Sequence, residues 1–196
     1  MYKDQEGLLI NLGAGAYRDP AWVSLDFNPV KNCDYTHDLN KAPYPFKDRS
    51  ASIIYASHSL EHLSYKNAWT VFKEAHRILK PRGLLRITVP NVQVPLANYA
   101  NDTFGEWFKH LCENKEFTGP HPTPLMTLAQ EFFFCGDEVD RHRSAWDFQT
   151  LKLYFEKTGF IDIEATERFE SRSALMNKSG FDNRPLQTLY LEGIKK

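Results

Sequence analysis

The sequence predicts an α/β fold built on a parallel β-sheet, and three patterns lead to this prediction. Leu8–Leu12 is an apolar run that ends in a Gly-x-Gly turn at Gly13 and Gly15, as is typical of a buried parallel strand. Ala51–Ser57, a helical pattern and Leu84–Val89 follow one another closely, which predicts a β-α-β unit with a right-handed crossover. The chain has 196 residues, of which 42% are hydrophobic, so we expect one domain with a sizeable core.

Charge and cysteine content exclude several classes of protein. The formal net charge is −1 and Lys and Arg do not cluster, so we expect no nucleic-acid partner. The three cysteines form no Cys-x-x-Cys pair, which argues against disulfides or a closed zinc site and fits a reducing compartment. The sequence has neither a signal-peptide pattern nor an apolar run of the ~20 residues that a membrane span needs. We therefore expect a cytoplasmic protein without a membrane span.

A second strand is predicted from Val23 to Phe27, with Asp26 at its end. A carboxylate at this place can accept hydrogen bonds from both hydroxyls of a ribose, at about 1.5–3 kcal/mol each. An ordinary turn-forming Asp before Asn28-Pro29 explains the residue equally well. Spacing adds a constraint, because Asp26 comes only 13 residues after Gly13. The first crossover therefore has a very short helix or none.

The same spacing disfavours a dinucleotide-binding unit. That unit has the pattern Gly-x-Gly-x-x-Gly, a full helix and an acid about 20 residues further on. Here Arg18 stands at the third glycine position. A nucleotide-dependent oxidoreductase is thus the weaker alternative.

The remaining elements follow from apolar periodicity and from capping or breaking residues. Ser64 is a predicted N-cap for the clearest helix, which Lys80-Pro81-Arg82-Gly83 ends. The other predictions are a short edge strand at Cys33–Thr36, helices at Pro95 to about Asn114 and at Leu125–Phe134, a helix capped by Asp147 and ending at Gly159, a strand at Phe160–Ala165, a polar segment at Glu170–Arg184 and a final strand at Gln187–Ile194.

Several motifs in one order resemble the class I S-adenosylmethionine-dependent methyltransferases, close to the methyltransferase type 11 group, in a compact variant with a short first crossover. They are Asn11-Leu12-Gly13-Ala14-Gly15, Asp26, His37-Asp38-Leu39, Pro45-Phe46 with Asp48, Ser57-His58-Ser59-Leu60-Glu61-His62-Leu63, and Leu79-Lys80-Pro81-Arg82-Gly83. The resemblance implies a Rossmann-like, seven-stranded, mostly parallel sheet with an antiparallel last strand and helices on both faces. It also implies a single domain over residues 1–196, with a cofactor half at about 8–91 and a substrate-side insert at about 92–146. Arg82 departs from the family, which usually has glycine there.

The resemblance further implies S-adenosylmethionine as cofactor and S-adenosylhomocysteine as product. Gly13 and Gly15 would face the methionine part and Asp26 the ribose, while Asp38 and Leu39 would border the adenine. Ser57 and His58 would lie beside the sulfonium and the acceptor. The predicted cofactor-binding residues are thus Leu12, Gly13, Ala14, Gly15, Asp26, Asp38, Leu39, Ser57 and His58.

Methyl transfer from a sulfonium is an in-line displacement, so positioning can supply about 7–11 kcal/mol and a dedicated base is optional. For a hydroxyl acceptor a histidine is the expected base. His58 is the first candidate, at a strand end, and His142 is the second. A charged, solvated loop explains His121, His142 and the nearby arginines Arg141 and Arg143 equally well.

No metal site is assigned from the sequence. His37, Asp38, His58 and His62 are metal-ligand types, but they follow separate strands, and their spacing fixes no ligand geometry. His62 is expected to pack or to form hydrogen bonds, with Glu61 as an acid at the helix entry.

The function predicted from the sequence is transfer of a methyl group to a small molecule or a glycan precursor. The main alternative is an inactive module that binds S-adenosylmethionine or a nucleoside. Such a module would keep the glycine turn and Asp26 but transfer no methyl group to any acceptor.

Overall fold

The structure is a computed structural model, and it describes residues 7–103, 123–133, 141–184 and 186–196. The predicted helical residues 104–114 and His121 lie outside these ranges. The strands are β1 (Leu8–Leu12), β2 (Val23–Asp26), β3 (Tyr35–Thr36), β4 (Ala51–Ser57), β5 (Leu79–Pro90), β6 (Phe160–Thr166) and β7 (Thr188–Lys195). The α-helices are α1 (Tyr65–Ile78), α2 (Gln93–Ala100), α3 (Pro124–Phe133) and α4 (Phe148–Lys157).

The strands form a seven-stranded sheet in the order β3-β2-β1-β4-β5-β7-β6. The first five strands pair in parallel. Strand β7 inserts between β5 and β6 and is antiparallel to both. The predicted fold class, with a mostly parallel sheet and an antiparallel last strand, is confirmed.

The connection from β1 to β2 contains no helix, as the spacing predicts. Residues 13–22 form turns, and the amides of Gly13 and Ala14 donate to the carbonyl of Leu25 at 2.8 and 3.1 Å. The connection from β2 to β3 has only a 3₁₀ helix at Pro29–Lys31. Both crossovers on this side of the sheet are therefore too short to cover it with α-helices.

In the part of the chain that the structure describes, the two faces of the sheet are covered differently. Helices α1 and α4 pack on one face and bury residues such as Phe72 and Phe155. On the other face Trp22, Met176 and Phe181 pack against the strands, with ring centroids of Trp22 and Phe181 4.8 Å apart. Because the first crossovers are short, the turn of Trp22 and the segment before β7 supply the apolar cover of this face among the described residues.

A buried ion pair fixes the segment before β7 to the sheet. Arg86 on β5 donates to Asp182 at 2.6 Å and to Glu192 at 2.9 Å, and all three side chains are 0% exposed. Residues 170–184, which the sequence indicates as a polar segment, thus contribute buried groups to the fold.

The predicted N-caps of α1 and α4 are confirmed. The side chain of Ser64 accepts a hydrogen bond from the amide of Asn67 at 3.3 Å. The carboxylate of Asp147 accepts one from the amide of Thr150 at 2.8 Å. Each cap accepts from an amide in the first turn of its helix, where α-helical partners are missing.

The predicted helix from Pro95 to about Asn114 is confirmed from Pro95 to Ala100 and is wrong at residues 101–103. Helix α2 begins at Gln93 and ends at Ala100, and residues 101–103 are not helical. Asn101 caps the helix, its side-chain amide donating to the carbonyl of Ala97 at 2.9 Å. Asp102 then takes a left-handed backbone conformation with φ of 51°, which Asn and Asp tolerate better than most residues.

In the parts of the chain that the structure describes, no helix combines the length and apolar character needed to cross a bilayer.

Candidate active site

The Gly-x-Gly turn after β1 has the left-handed backbone that only glycine adopts without strain. The φ angles of Gly13 and Gly15 are 67° and 55°. A Cβ on Gly13 would lie 2.6 Å from the Cβ of Ser59, whereas a Cβ on Gly15 would meet no atom within 4 Å. Gly13 thus permits close packing inside the protein, and Gly15 borders open space.

Asp26, at the end of β2, lies directly against this turn. Its Oδ2 accepts a hydrogen bond from the amide of Gly15 at 2.8 Å, and its Oδ1 accepts one from the amide of Asn28 at 3.0 Å. The side chain is buried, with 6% of the residue exposed. Each oxygen of a carboxylate has a further lone pair, so Asp26 can hold the turn and still accept from a ligand. The ends of β1 and β2 therefore meet in one site.

The loop after β3 brings Leu39 to the same place. The Cδ1 atom of Leu39 lies 3.8 Å from where a Cβ on Gly13 would be, and the residue is 7% exposed. Tyr44 holds this loop, because its hydroxyl donates to the carbonyl of Leu39 at 2.8 Å.

Asp38 precedes Leu39 and is half-buried. It accepts hydrogen bonds from the amide and the side chain of Asn40 at 2.9 and 2.7 Å. Burial favours the neutral acid, but these hydrogen bonds and the charge of Lys41 outweigh it, and the pKa of Asp38 lies below its ordinary value. The carboxylate is thus ionised near neutral pH and available as an acceptor.

The carboxyl end of β4 supplies Ser57, His58 and Ser59. The hydroxyl of Ser57 accepts a hydrogen bond from that of Thr88 at 2.8 Å. Ser59 was not singled out from the sequence, yet its buried hydroxyl has no hydrogen-bond partner among the described residues. A buried polar atom normally has a partner, so the Ser59 hydroxyl beside Gly13 fits a site that receives a polar ligand group.

His58 has a left-handed backbone with φ of 47°, and both of its ring nitrogens contact protein groups. Its Nε2 is 3.0 Å from the hydroxyl of Thr188, and its Nδ1 is 3.3 Å from Oε1 of Glu61. His58 stays a prediction as a general base. To accept a proton from a substrate it would have to give up one of these two contacts.

Glu61 lies in a 3₁₀ helix at Leu60–His62, ahead of α1 rather than at its first turn. It is 2% exposed, and its Oε1 lies 4.0 Å from Nε2 of His62. Burial by itself would raise the pKa of Glu61, but the hydrogen bond from His58 and the charges of His58 and His62 hold it below its ordinary value.

His142, the second predicted catalytic histidine, lies next to residues that bind the 3₁₀ helix of Glu61. The amides of Arg143 and Ser144 donate to the carbonyl of Glu61 at 2.7 and 3.2 Å. The ring centroids of His142 and His62 are 5.2 Å apart. Sequence reasoning did not join His142 to Glu61 and His62, because the contact depends on how a distant segment docks.

The structure brings most of the predicted cofactor residues to one edge of the sheet. The side chains of Leu12 and Ala14 are buried, at 0% and 7% exposure, so in these two residues the backbone is the part available to a ligand. Asp26 accepts a hydrogen bond from the amide of Gly15 in the glycine turn, and Leu39 borders Gly13 in the same turn. Asp38, Ser57 and His58 lie on the loops and strand end next to them.

Comparison with known proteins bears on the family and the fold. Residues 22–87 match the family described as methyltransferase domain. That match covers about a third of the chain, and the seven-stranded sheet has the fold of class I methyltransferases. No curated protein sequence matches the chain significantly.

Solved structures of methyltransferases have the same fold. A SAM-dependent methyltransferase from Archaeoglobus fulgidus is 16% identical, with a TM-score of 0.58, covering 99% of this chain and 88% of that one. One from Thermotoga maritima, described as a possible histamine N-methyltransferase, is 14% identical, with a TM-score of 0.55 and coverage of 98% and 84%.

A third solved structure contains the cofactor. Phosphoethanolamine N-methyltransferase 2 of Haemonchus contortus, in complex with S-adenosyl-L-methionine, is 13% identical, with a TM-score of 0.52. The match covers 98% of this chain and 49% of that one. At these identities the solved structures establish the fold, and with the family match they support S-adenosylmethionine as the cofactor, as the sequence predicts.

Proposed function

We propose that this chain is an S-adenosylmethionine-dependent methyltransferase that acts on a small molecule or a glycan precursor. The observation that carries the proposal is the contact between the glycine turn and Asp26, with open space above Gly15. The descriptions of the methyltransferases from Thermotoga maritima and Haemonchus contortus name small amines, histamine and phosphoethanolamine. This supports a small acceptor.

The residues of this chain would bind and orient the reactants. Asp26 would accept hydrogen bonds from the ribose hydroxyls, and Leu39 would pack against the adenine, with Asp38 accepting from its amino group. When bound, S-adenosylmethionine supplies an activated methyl group. Ser57 and His58 would border the acceptor, because they end the strand next to β1. Holding donor and acceptor in line contributes most of the rate increase in such a site.

Binding of the cofactor is tested by calorimetry with S-adenosylmethionine, S-adenosylhomocysteine and NAD. We expect both adenosyl compounds to bind and NAD not to bind. Binding of NAD alone would indicate a nucleotide-dependent oxidoreductase and overturn the proposal. Binding of the adenosyl compounds without methyl transfer to a panel of amines, phenols and sugars would indicate a module that only binds the cofactor.

The role of Asp26 is tested by Asp26→Ala. The variant loses the acceptor for the ribose and the hydrogen bond that holds Gly15, so the Kd for S-adenosylmethionine should rise at least about tenfold, or about 1.4 kcal/mol. Asp34→Ala is the matched control, because Asp34 follows β2 as well but accepts from the amide and hydroxyl of Ser24, both at 2.7 Å. An unchanged affinity in Asp26→Ala would contradict the ribose assignment.

A further inference from the structure

A carboxylate and two imidazoles meet beside the end of β4. One carboxylate oxygen of Glu61 and one ring nitrogen each of His62 and His142 all lie within 4.8 Å of one another. Among the residues that the structure describes, this is the group of His, Cys, Asp and Glu side chains whose geometry suits a metal ion. Glu61 and His62 are adjacent in the chain, and backbone hydrogen bonds from Arg143 and Ser144 to Glu61 hold the segment of His142 against them.

Two buried atoms of this cluster need a partner. Oε2 of Glu61 and Nδ1 of His62 are buried, and neither has a hydrogen-bond partner among the described residues. Glu61 is 2% exposed. A buried carboxylate oxygen without a donor is costly, and a bound cation removes that cost. The unpartnered oxygen of Glu61 is therefore an observation separate from the proximity of the three side chains.

The donor set indicates which ion fits. Two histidines and one carboxylate are ligands for Zn²⁺ and for the other divalent first-row transition ions, whereas Mg²⁺ and Ca²⁺ prefer oxygen donors. Donor atoms about 2.1 Å from a tetrahedral ion lie about 3.4 Å apart, so binding would draw the most distant pair of the cluster together by up to about 1.4 Å. The half-buried His142, on a loop, is the side chain best able to make that movement.

We propose that Glu61, His62 and His142 bind one divalent transition-metal ion, with Zn²⁺ as the best fit. Three protein ligands leave at least one coordination position for a molecule from solution. His58, whose Nδ1 lies 3.3 Å from Oε1 of Glu61, orients the carboxylate by hydrogen bonding, as groups behind metal ligands commonly do. Because Ser57 and His58 border the expected acceptor position, the open coordination position suits an oxygen atom of the methyl acceptor; this last step rests on the proposed function.

The experiment is calorimetric titration of the chelator-treated protein with Zn²⁺ alone, and absorption spectroscopy with Co²⁺ alone. We expect one ion per chain, Co²⁺ bands in the visible region and a higher Tm with Zn²⁺, because an ion that binds the folded state stabilises it. In Glu61→Gln and in His142→Gln the Kd for Zn²⁺ should rise at least about tenfold.

Control variants separate this site from surface binding. His76→Gln and Glu156→Gln remove a histidine and an acid outside the cluster and should leave Zn²⁺ binding unchanged. If Glu61→Gln does not fold, His142→Gln, on the half-buried loop, still gives the answer. Absence of stoichiometric binding in the unaltered protein, or an unchanged Kd in His142→Gln, would overturn the proposal. Asp26→Ala should bind Zn²⁺ normally, so failure of the metal site and failure of the cofactor site are distinguishable.

Discussion

Gly13 and Gly15 share a left-handed backbone, but their surroundings differ, and so should the consequences of replacing them. In either position alanine costs about 1–2 kcal/mol of backbone strain. In Gly13→Ala the new Cβ also lies 2.6 Å from the Cβ of Ser59, and such overlap adds about 1–3 kcal/mol. Urea unfolding should therefore show a larger loss of stability for Gly13→Ala than for Gly15→Ala. Equal losses would contradict the packing described for Gly13.

The positions of some site residues can be predicted from the sequence and those of others cannot, and the difference has a physical reason. Asp26 is predictable because a strand end and a glycine turn mark the same edge of the sheet. The cluster of Glu61, His62 and His142 is not, because it depends on backbone hydrogen bonds from a distant segment. Arg82 stands where the family usually has glycine, and its φ of 66° shows what glycine would supply. Arg82 is exposed near the start of β5, where the strain is tolerated.

Helix α1 holds the loop before β4 in place through one acidic side chain, Glu74. Oε2 of Glu74 accepts hydrogen bonds from the amide of Tyr44 at 2.6 Å and from Arg77 at 2.7 Å. Arg77 also donates to the carbonyls of Phe46 and Tyr44 at 2.8 and 3.2 Å. Since Tyr44 in turn holds Leu39, the helix supports the loop that we expect to border the adenine.

This arrangement makes stability depend on pH. Burial acts to raise the pKa of Glu74, but hydrogen bonds from Arg77 and Tyr44 outweigh it and hold the pKa below the ordinary 4.5. The folded state therefore binds fewer protons than the unfolded state, so the stabilisation is complete above pH 4.5 and is lost as the pH falls through the lower, folded pKa. Urea unfolding of Glu74→Gln should show a smaller loss of stability between about pH 5 and pH 3.

The control for this prediction is Glu156→Gln. Glu156 is an exposed acid of α4 that lies 3.7 Å from Lys152, and an exposed pair of this kind contributes little. Its removal should leave the pH dependence as it is in the unaltered protein. The same pH dependence in Glu74→Gln and the unaltered protein would contradict the role given to Glu74.

The elements themselves were predictable where apolar periodicity and caps agree. Helix α1 has both a helical stripe and Ser64 as its cap, and its range follows closely from the sequence. Helix α2 was predicted too long, because periodicity continues past Asn101 and Asp102 although their backbone ends the helix. Apolar periodicity alone does not show such a stop.

In the whole molecule, the strand order creates the site. Strand β1 pairs with β2 on one side and with β4 on the other, so the chain changes direction across the sheet at β1. Ligands of open α/β sheets bind at such a point, outside the carboxyl ends of the strands. Gly13, Asp26 and Ser57 follow or end these three strands, which explains why residues far apart in the sequence share one site.

The cover of the opposite face could not be predicted from periodicity. Arg86, Asp182 and Glu192 are charged residues at 0% exposure in their side chains, and hydrophobic patterns assign such residues to the surface. Their burial depends on mutual pairing. The short crossovers, in contrast, were predictable from residue spacing alone.

The most direct test of the central claim is a crystal structure of the protein with S-adenosylhomocysteine. We expect the ligand along the glycine turn, with its ribose hydroxyls within hydrogen-bond distance of the Asp26 carboxylate and its sulfur near Ser57 and His58. A ligand bound elsewhere, with Asp26 contacting only the amides of Gly15 and Asn28, would contradict the account.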